Sequence, residues 1–200
     1  MWKLEALNQT LFLAINGDAA SPPWRVTAIT GVAEYLILLI PIALTALWLR
    51  GGTARRSTAL QAVAVNFLAL GVNQLIGIVW QHPRPFALGL GHTFLAHAAD
   101  SSFPSDHMTV FAAVGLVFLL GNARLWGAVI LLLGIAVGWA RVYLGLHFPL
   151  DMAGGVAVSA VTCLIVAPVW ARLGDRLTQW MESLYRHIFA WPIANGWVRS

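Results

Sequence analysis

The residues able to do chemistry gather in three short polar segments. They are Gln81-His82-Pro83-Arg84-Pro85-Phe86, the stretch Ala99-Asp100-Ser101-Ser102-Phe103-Pro104-Ser105-Asp106-His107, and Arg141-Val142-Tyr143-Leu144-Gly145-Leu146-His147-Phe148-Pro149-Leu150-Asp151. Of the six histidines only His187 lies away from them. Pro149 suits the first turn of a helix, which places Asp151 within that turn and His147 just ahead of it. A carboxylate so placed fixes the imidazole tautomer and stabilises the charge the ring acquires, as a nucleophile or base requires. Ser105 is an N-cap residue, so the amides that follow it point outward from a helix start, where an anion is favoured. His107 in the same turn is placed to donate a proton to a leaving oxygen. Arg84 and Arg141 present forked, permanent positive charge suited to phosphate oxygens. Asp106 is awkward beside a phosphate and suits the orienting of a neighbouring group or water. Each feature alone has an ordinary structural explanation; together they point to a phosphate-handling site.

The elements that must position these segments follow from composition. The chain has 200 residues, 59% hydrophobic and 10% charged, against roughly 25% charged in a soluble domain. That excludes a water-soluble globule and predicts a membrane protein. The fold class expected is all-α, a polytopic transmembrane helix bundle of five to six spans, each of about 20 residues. Spans are predicted over 29–49, with Glu34 as its one charge and Pro41 as a kink, then 57–80, 106–120, 125–140 and 149–170. Residues 81–105 are too polar and too rich in Pro, Gly and His to span, and form a long external loop. Arg50, Arg55, Arg56, Arg124, Arg172, Arg176, Arg186 and Arg199 all fall on one side, the cytoplasmic one by the positive-inside rule. The three polar segments then share the outer face. Leu4 to Ile15 is too short for an ordinary span and reads as an interfacial amphipathic helix. The domain expectation is one integral-membrane unit over 1–200: an interfacial segment 1–28, a catalytic bundle 29–171, and a cytoplasmic amphipathic tail 172–200. A tight turn over Gly121-Asn122-Ala123-Arg124 joins the third and fourth spans.

The net charge of +4 comes from basic residues scattered at span ends, not from a stripe, so no nucleic-acid partner is expected. The single cysteine, Cys163, reads as a small buried hydrophobe. No metal and no cofactor are expected, since the sequence lacks a carboxylate cluster of the Mg²⁺ type and a Cys/His cluster of the Zn²⁺ type. Glu34, Asn73 and Gln74 are intramembrane polar residues that suit the bundle interior, Glu34 with a possible accessory role. His92 and His97 read as plain loop residues.

The order Arg84-Pro85, Pro104-Ser105-Asp106-His107, then Arg141-x5-His147-x3-Asp151 resembles the three-part signature of the type-2 phosphatidic acid phosphatase superfamily. Asp106 in place of glycine, the Ala98-Ala99-Asp100 lead-in and the short chain are similar to its bacterial undecaprenyl pyrophosphate phosphatase branch. The resemblance implies a bacterial inner-membrane enzyme, its site facing the periplasm, that recycles the lipid carrier of peptidoglycan synthesis. It implies that His147, held by Asp151, attacks the terminal phosphorus and forms a phosphohistidine, and that His107 protonates the leaving group. Arg84, Ser105 and Arg141, with Asp106 nearby, would bind the phosphate. The substrate partner implied is undecaprenyl pyrophosphate within the bilayer. Two positions depart from the pattern: Gly77 replaces the lysine that opens it, for which His82 is a candidate substitute, and Ala140 replaces the serine before Arg141. Competing readings are a phosphotransferase from the same lipid to lipid A, a broader lipid phosphate phosphatase, and a non-catalytic transporter or scaffold.

Overall fold

The computed structural model describes residues 2–121 and 123–199, and every regular element among them is helical. Helix α1 covers Trp2–Ile15. The first span is composite, with α2 (Pro23–Tyr35) and α3 (Leu39–Arg50) joined by a 3₁₀ turn at Leu36–Leu38. Pro41 explains that turn. Its ring meets the carbonyl four residues back, at Ile37, and its missing N–H breaks the α ladder there, so the chain tightens to 3₁₀ pairing. Then follow α4 (Thr53–Val79), a second 3₁₀ turn (Pro85–Leu88), α5 (Asp106–Leu120), α6 (Arg124–Tyr143), α7 (Pro149–Ile188) and the short α8 (Ala190–Ala194). Four helical stretches, Pro23–Arg50, Thr53–Val79, Arg124–Tyr143 and Pro149–Ile188, are long and apolar enough to cross a membrane, and α5 is a shorter apolar helix. The chain is a multi-pass membrane protein.

Helix α5 is the hub. It packs against α4, α6 and α7, and Phe111, Ala112, Ala113, Val114, Val117 and Phe118 are all buried. Its 15 residues span only about 22 Å at 1.5 Å per residue; surrounded by longer helices, it need not cross the hydrocarbon alone. Close α5–α6 approach depends on glycine: a Cβ on Gly127 would lie 2.4 Å from the Leu119 backbone nitrogen. Small residues allow such backbone contact where lipid gives no hydrophobic drive for helices to associate.

Several boundaries differ from the sequence expectation: α4 begins at Thr53, ahead of 57, and α6 runs past 140 to Tyr143, which puts Arg141 on the helix. The first span begins at Pro23, not Ile29, because Pro22 and Pro23 supply the helix start. The tail expected to start near Arg172 as a separate surface helix is the second half of α7, which runs unbroken for 40 residues. At 1.5 Å per residue that is about 60 Å, twice a hydrocarbon core of about 30 Å. Asn122, in the expected turn between α5 and α6, lies outside the described residues.

Candidate active site

The three polar segments converge at one end of the bundle around a cavity of about 530 Å³. Arg84, Asp106, His107, Arg141 and His147 line it, together with Asn73, Gln74, Gly77, His82 and His97.

His147 sits in the short loop between α6 and α7 and is 3% exposed. Gly145 makes that loop possible: its φ is +81°, and a Cβ would meet the His92 carbonyl oxygen at 2.3 Å. The His147 Nδ1 faces the Ser102 carbonyl oxygen at 3.0 Å and Asp151 Oδ2 at 3.2 Å. A carbonyl only accepts, so Nδ1 carries the proton and Nε2 holds the lone pair. On that side Arg84 donates from one terminal nitrogen to Nε2, at 3.1 Å. Burial first, and then the positive charges of Arg141 and Arg84, hold the His147 imidazole well below the ordinary histidine range. The ring is therefore neutral at neutral pH, and His147 lines the cavity with its unprotonated Nε2 beside Arg84.

Asp151 is wholly buried in the first turn of α7. Its Oδ2 accepts from His147, from the Phe148 amide at 2.7 Å and from the Ser102 hydroxyl. Pro149 opens that helix and Asp151 is its third residue, as the sequence predicts.

Arg84 is 5% exposed. It donates to Asp100 at 2.8 Å and to the Leu146 carbonyl at 2.9 Å, which ties the first segment to the other two. Arg141, in the last turn of α6, points its two terminal nitrogens at His107 Nε2 (3.3 Å) and His97 Nε2 (3.5 Å). Its Nε is buried without a partner. Asp106 is held by Asn73 at 2.8 Å and by Gln74 at 3.4 Å. Asn73 also donates to Thr109, so these two side chains of α4 fix the start of α5.

Not every expected site residue reaches the cavity. Ser105 is wholly buried and caps α5, accepting from the Met108 amide; it lies outside the cavity lining. Glu34 is exposed on α2 and outside the lining. His82 does line it, packed edge-on between Trp80 and Phe148, with Nε2 3.6 Å from Glu5 on α1. Gly77 also lines it, so the α4 wall carries no cation there. Sequence reasoning missed Ser102, which touches both His147 and Asp151, along with Asp100 as the partner of Arg84. It also set His97 aside as a loop residue, whereas that ring lines the cavity beside Arg141. A serine at a loop position has no distinctive spacing; only the folded loop brings it under the imidazole. Among the described residues no group of three metal-ligating side chains comes together.

Two buried arginines, two histidines and a buried carboxylate around one cavity define a membrane-embedded bundle with an anion site at one end. The chain belongs to the PAP2 superfamily, whose family model matches residues 58–175. It is 42% identical over 198 residues, covering 98% of this chain and all of the relative, to YbjG of Escherichia coli (strain K12), provisionally named an undecaprenyl-diphosphatase. It is 32% identical over 180 residues, 90% of this chain and 91% of the relative, to the undecaprenyl-diphosphatase BcrC of Bacillus subtilis (strain 168). Among solved structures it is similar to Aquifex aeolicus LpxE, with a TM-score of 0.66 and 26% identity over 80% of this chain and 93% of that one.

Proposed function

We propose that this protein is an undecaprenyl pyrophosphate phosphatase: a single integral-membrane unit that hydrolyses the terminal phosphate of the lipid pyrophosphate and returns the monophosphate carrier to cell-wall synthesis. The observation that carries this is His147, with Nδ1 engaged by Ser102 and Asp151 and Nε2 turned to a cavity beside two buried arginines. That is the geometry of a nucleophile aimed at an anionic centre.

In the step proposed, the Nε2 lone pair forms a bond to the terminal phosphorus as the bond from phosphorus to the bridging oxygen breaks. Arg84 and Arg141 turn their N–H groups to the equatorial oxygens, where charge accumulates. Once a pyrophosphate draws Arg141 away from His107, that ring is free to carry the proton it gives the departing undecaprenyl phosphate. His107 then takes a proton from water, which attacks the phosphohistidine and releases inorganic phosphate. Ser105 serves this step by fixing the start of α5, and Asp106, clamped by Asn73 and Gln74, by keeping that start in register with α4.

The arginine-rich loop Arg50–Arg56 and the far part of α7 lie at the end of the bundle opposite the cavity, which supports an inner-membrane protein with its site facing the periplasm. There the pyrophosphate reaches the cavity while the polyprenyl tail stays in lipid. Release of inorganic phosphate from undecaprenyl pyrophosphate by the purified protein in detergent, with and without lipid A, tests the reading. The expected result is stoichiometric phosphate without an acceptor; phosphate transfer only in the presence of lipid A would replace hydrolase by transferase.

A further inference from the structure

We propose that Asn8, on the N-terminal helix α1, is a positioning residue for this reaction: it holds the first turn of α7 and through it His147 and Asp151. The inference rests on the hydrolase reading and concerns a part of the chain that precedes the region matched by the family model.

Accounting for the amides at the start of α7 leads to Asn8. The residue at the N-cap is Phe148, whose side chain accepts nothing, and the first helical residue is Pro149, which has no N–H. The Phe148 amide goes to Asp151 Oδ2 at 2.7 Å, and the Asp151 amide to the Phe148 carbonyl at 3.0 Å. The remaining amide, of Leu150, has no acceptor within its own helix and donates to Asn8 Oδ1 at 3.0 Å. Helix starts need such acceptors, and here a different helix supplies one.

Asn8 is 2% exposed and belongs to a continuous inward stripe. Phe12, four residues on, is fully buried and packs edge-on against Phe148 with ring centroids 5.3 Å apart. Beyond the helix, Asn16 donates to the Tyr143 carbonyl at 2.9 Å, and the Gly17 amide donates to the same oxygen at 3.0 Å. Helix α1 and the two residues that follow it therefore grip the chain from Tyr143 to Leu150 at both ends, and His147 lies between the grips. Beside this stripe Leu4, Leu7, Leu11 and Leu13 are exposed, as suits a helix lying against lipid.

A nucleophile displaced by about 1 Å loses up to about a hundredfold in rate, so the Asn8 bond has a kinetic readout. Asn8→Leu, of similar size but without an acceptor, should lower kcat on undecaprenyl pyrophosphate at least about tenfold while KM moves less than about threefold. Asn8→Asp keeps the acceptor and should stay within about threefold of the parent. In isotope-labelled histidine spectra in detergent micelles, the His147 ring signal should move in the Leu variant and hold in the Asp variant. That readout needs no substrate, so a parent protein inert toward the pyrophosphate lipid would sink the hydrolase reading and leave this test standing. Equal losses in both variants, or parental kcat and an unmoved His147 signal in Asn8→Leu, would overturn the proposal. So would failure of both Asn8→Leu and Asn8→Ala to accumulate as folded protein, which would make Asn8 a folding residue.

Discussion

Arg56 and Arg141, buried at the two ends of this bundle, are used in opposite ways. At the arginine-rich end Arg56 is 1% exposed and each of its three nitrogens has a partner. Its Nε donates to the Trp48 carbonyl at 2.9 Å, one terminal nitrogen pairs with Glu182 at 3.4 Å, and the other donates to the Arg199 carbonyl at 2.7 Å. The rings of Trp48 and Tyr185 lie 5.5 Å and 5.0 Å from the guanidinium carbon. At the cavity end Arg141, 5% exposed, faces two imidazoles, and its Nε has no partner. A buried arginine with a partner at each nitrogen joins elements, here α3, α4, α7 and the C-terminal segment. One that faces two imidazoles with its Nε unpartnered is the donor that the proposed reaction turns to its anion.

The sharpest way to break this comparison is to remove each charge in turn. Arg141→Ala should lower kcat by roughly 10²–10³, the usual loss for one donor to a developing oxyanion, with thermal unfolding close to the parent. Arg56→Ala should instead cost about 3–5 kcal/mol of stability, since it leaves Glu182 buried and alone, while the folded fraction keeps its turnover. Steady-state kinetics beside a detergent unfolding scan reads both. A stability loss in the first variant to match the second would erase the distinction.

A smaller effect sharpens it through pH. His147 must be neutral to attack, and its proton affinity is held down by burial and then by Arg141 and Arg84. Turnover limited by this group should therefore persist as pH falls through the ordinary histidine value of about 6.5. Arg84→Gln removes one of those positive charges, so His147 protonates more readily and the acid limb of kcat/KM should move to higher pH. Ser102→Ala should cost about tenfold in kcat, the equivalent of about 1.5 kcal/mol for a hydrogen bond to a charged group. It should also lower the unfolding midpoint, since the buried Asp151 carboxylate loses one of its donors.

How far the sequence reaches is clear from particular residues. Arg84, His107, Arg141, His147 and Asp151 were legible because their types and spacing serve one chemistry and because charges are scarce enough in this chain to stand out. The limits of the helix over 106–120 were legible to the residue, since Ser105 caps it and Gly121 ends it, though at 15 residues it is shorter than the span expected there. Ser102, Asp100 and His97 were not, because their value depends on how the external loop folds back onto the bundle, and no local periodicity encodes that. Asn8 was hidden for the same reason: a polar residue on a short amphipathic helix acquires a role only from the helix start it meets across the fold. Ser105 was read as a phosphate ligand, and the structure buries it wholly with its hydroxyl oxygen accepting at the start of α5; Glu34 was placed in the bundle interior, and it stands exposed on α2 with its charge still bearing on Arg141. The 40-residue α7 escaped because hydropathy reports where lipid ends, not where a helix does.

The central claim is that His147 is the nucleophile of a phosphoryl transfer. Rapid-quench labelling with undecaprenyl pyrophosphate carrying a radioactive terminal phosphate tests it most directly. The parent protein should show a transient acid-labile, base-stable label that maps to His147, His107→Ala should form and lose it more slowly, and His147→Ala should show none. Label on another residue, or phosphate release undiminished in His147→Ala, would contradict the account.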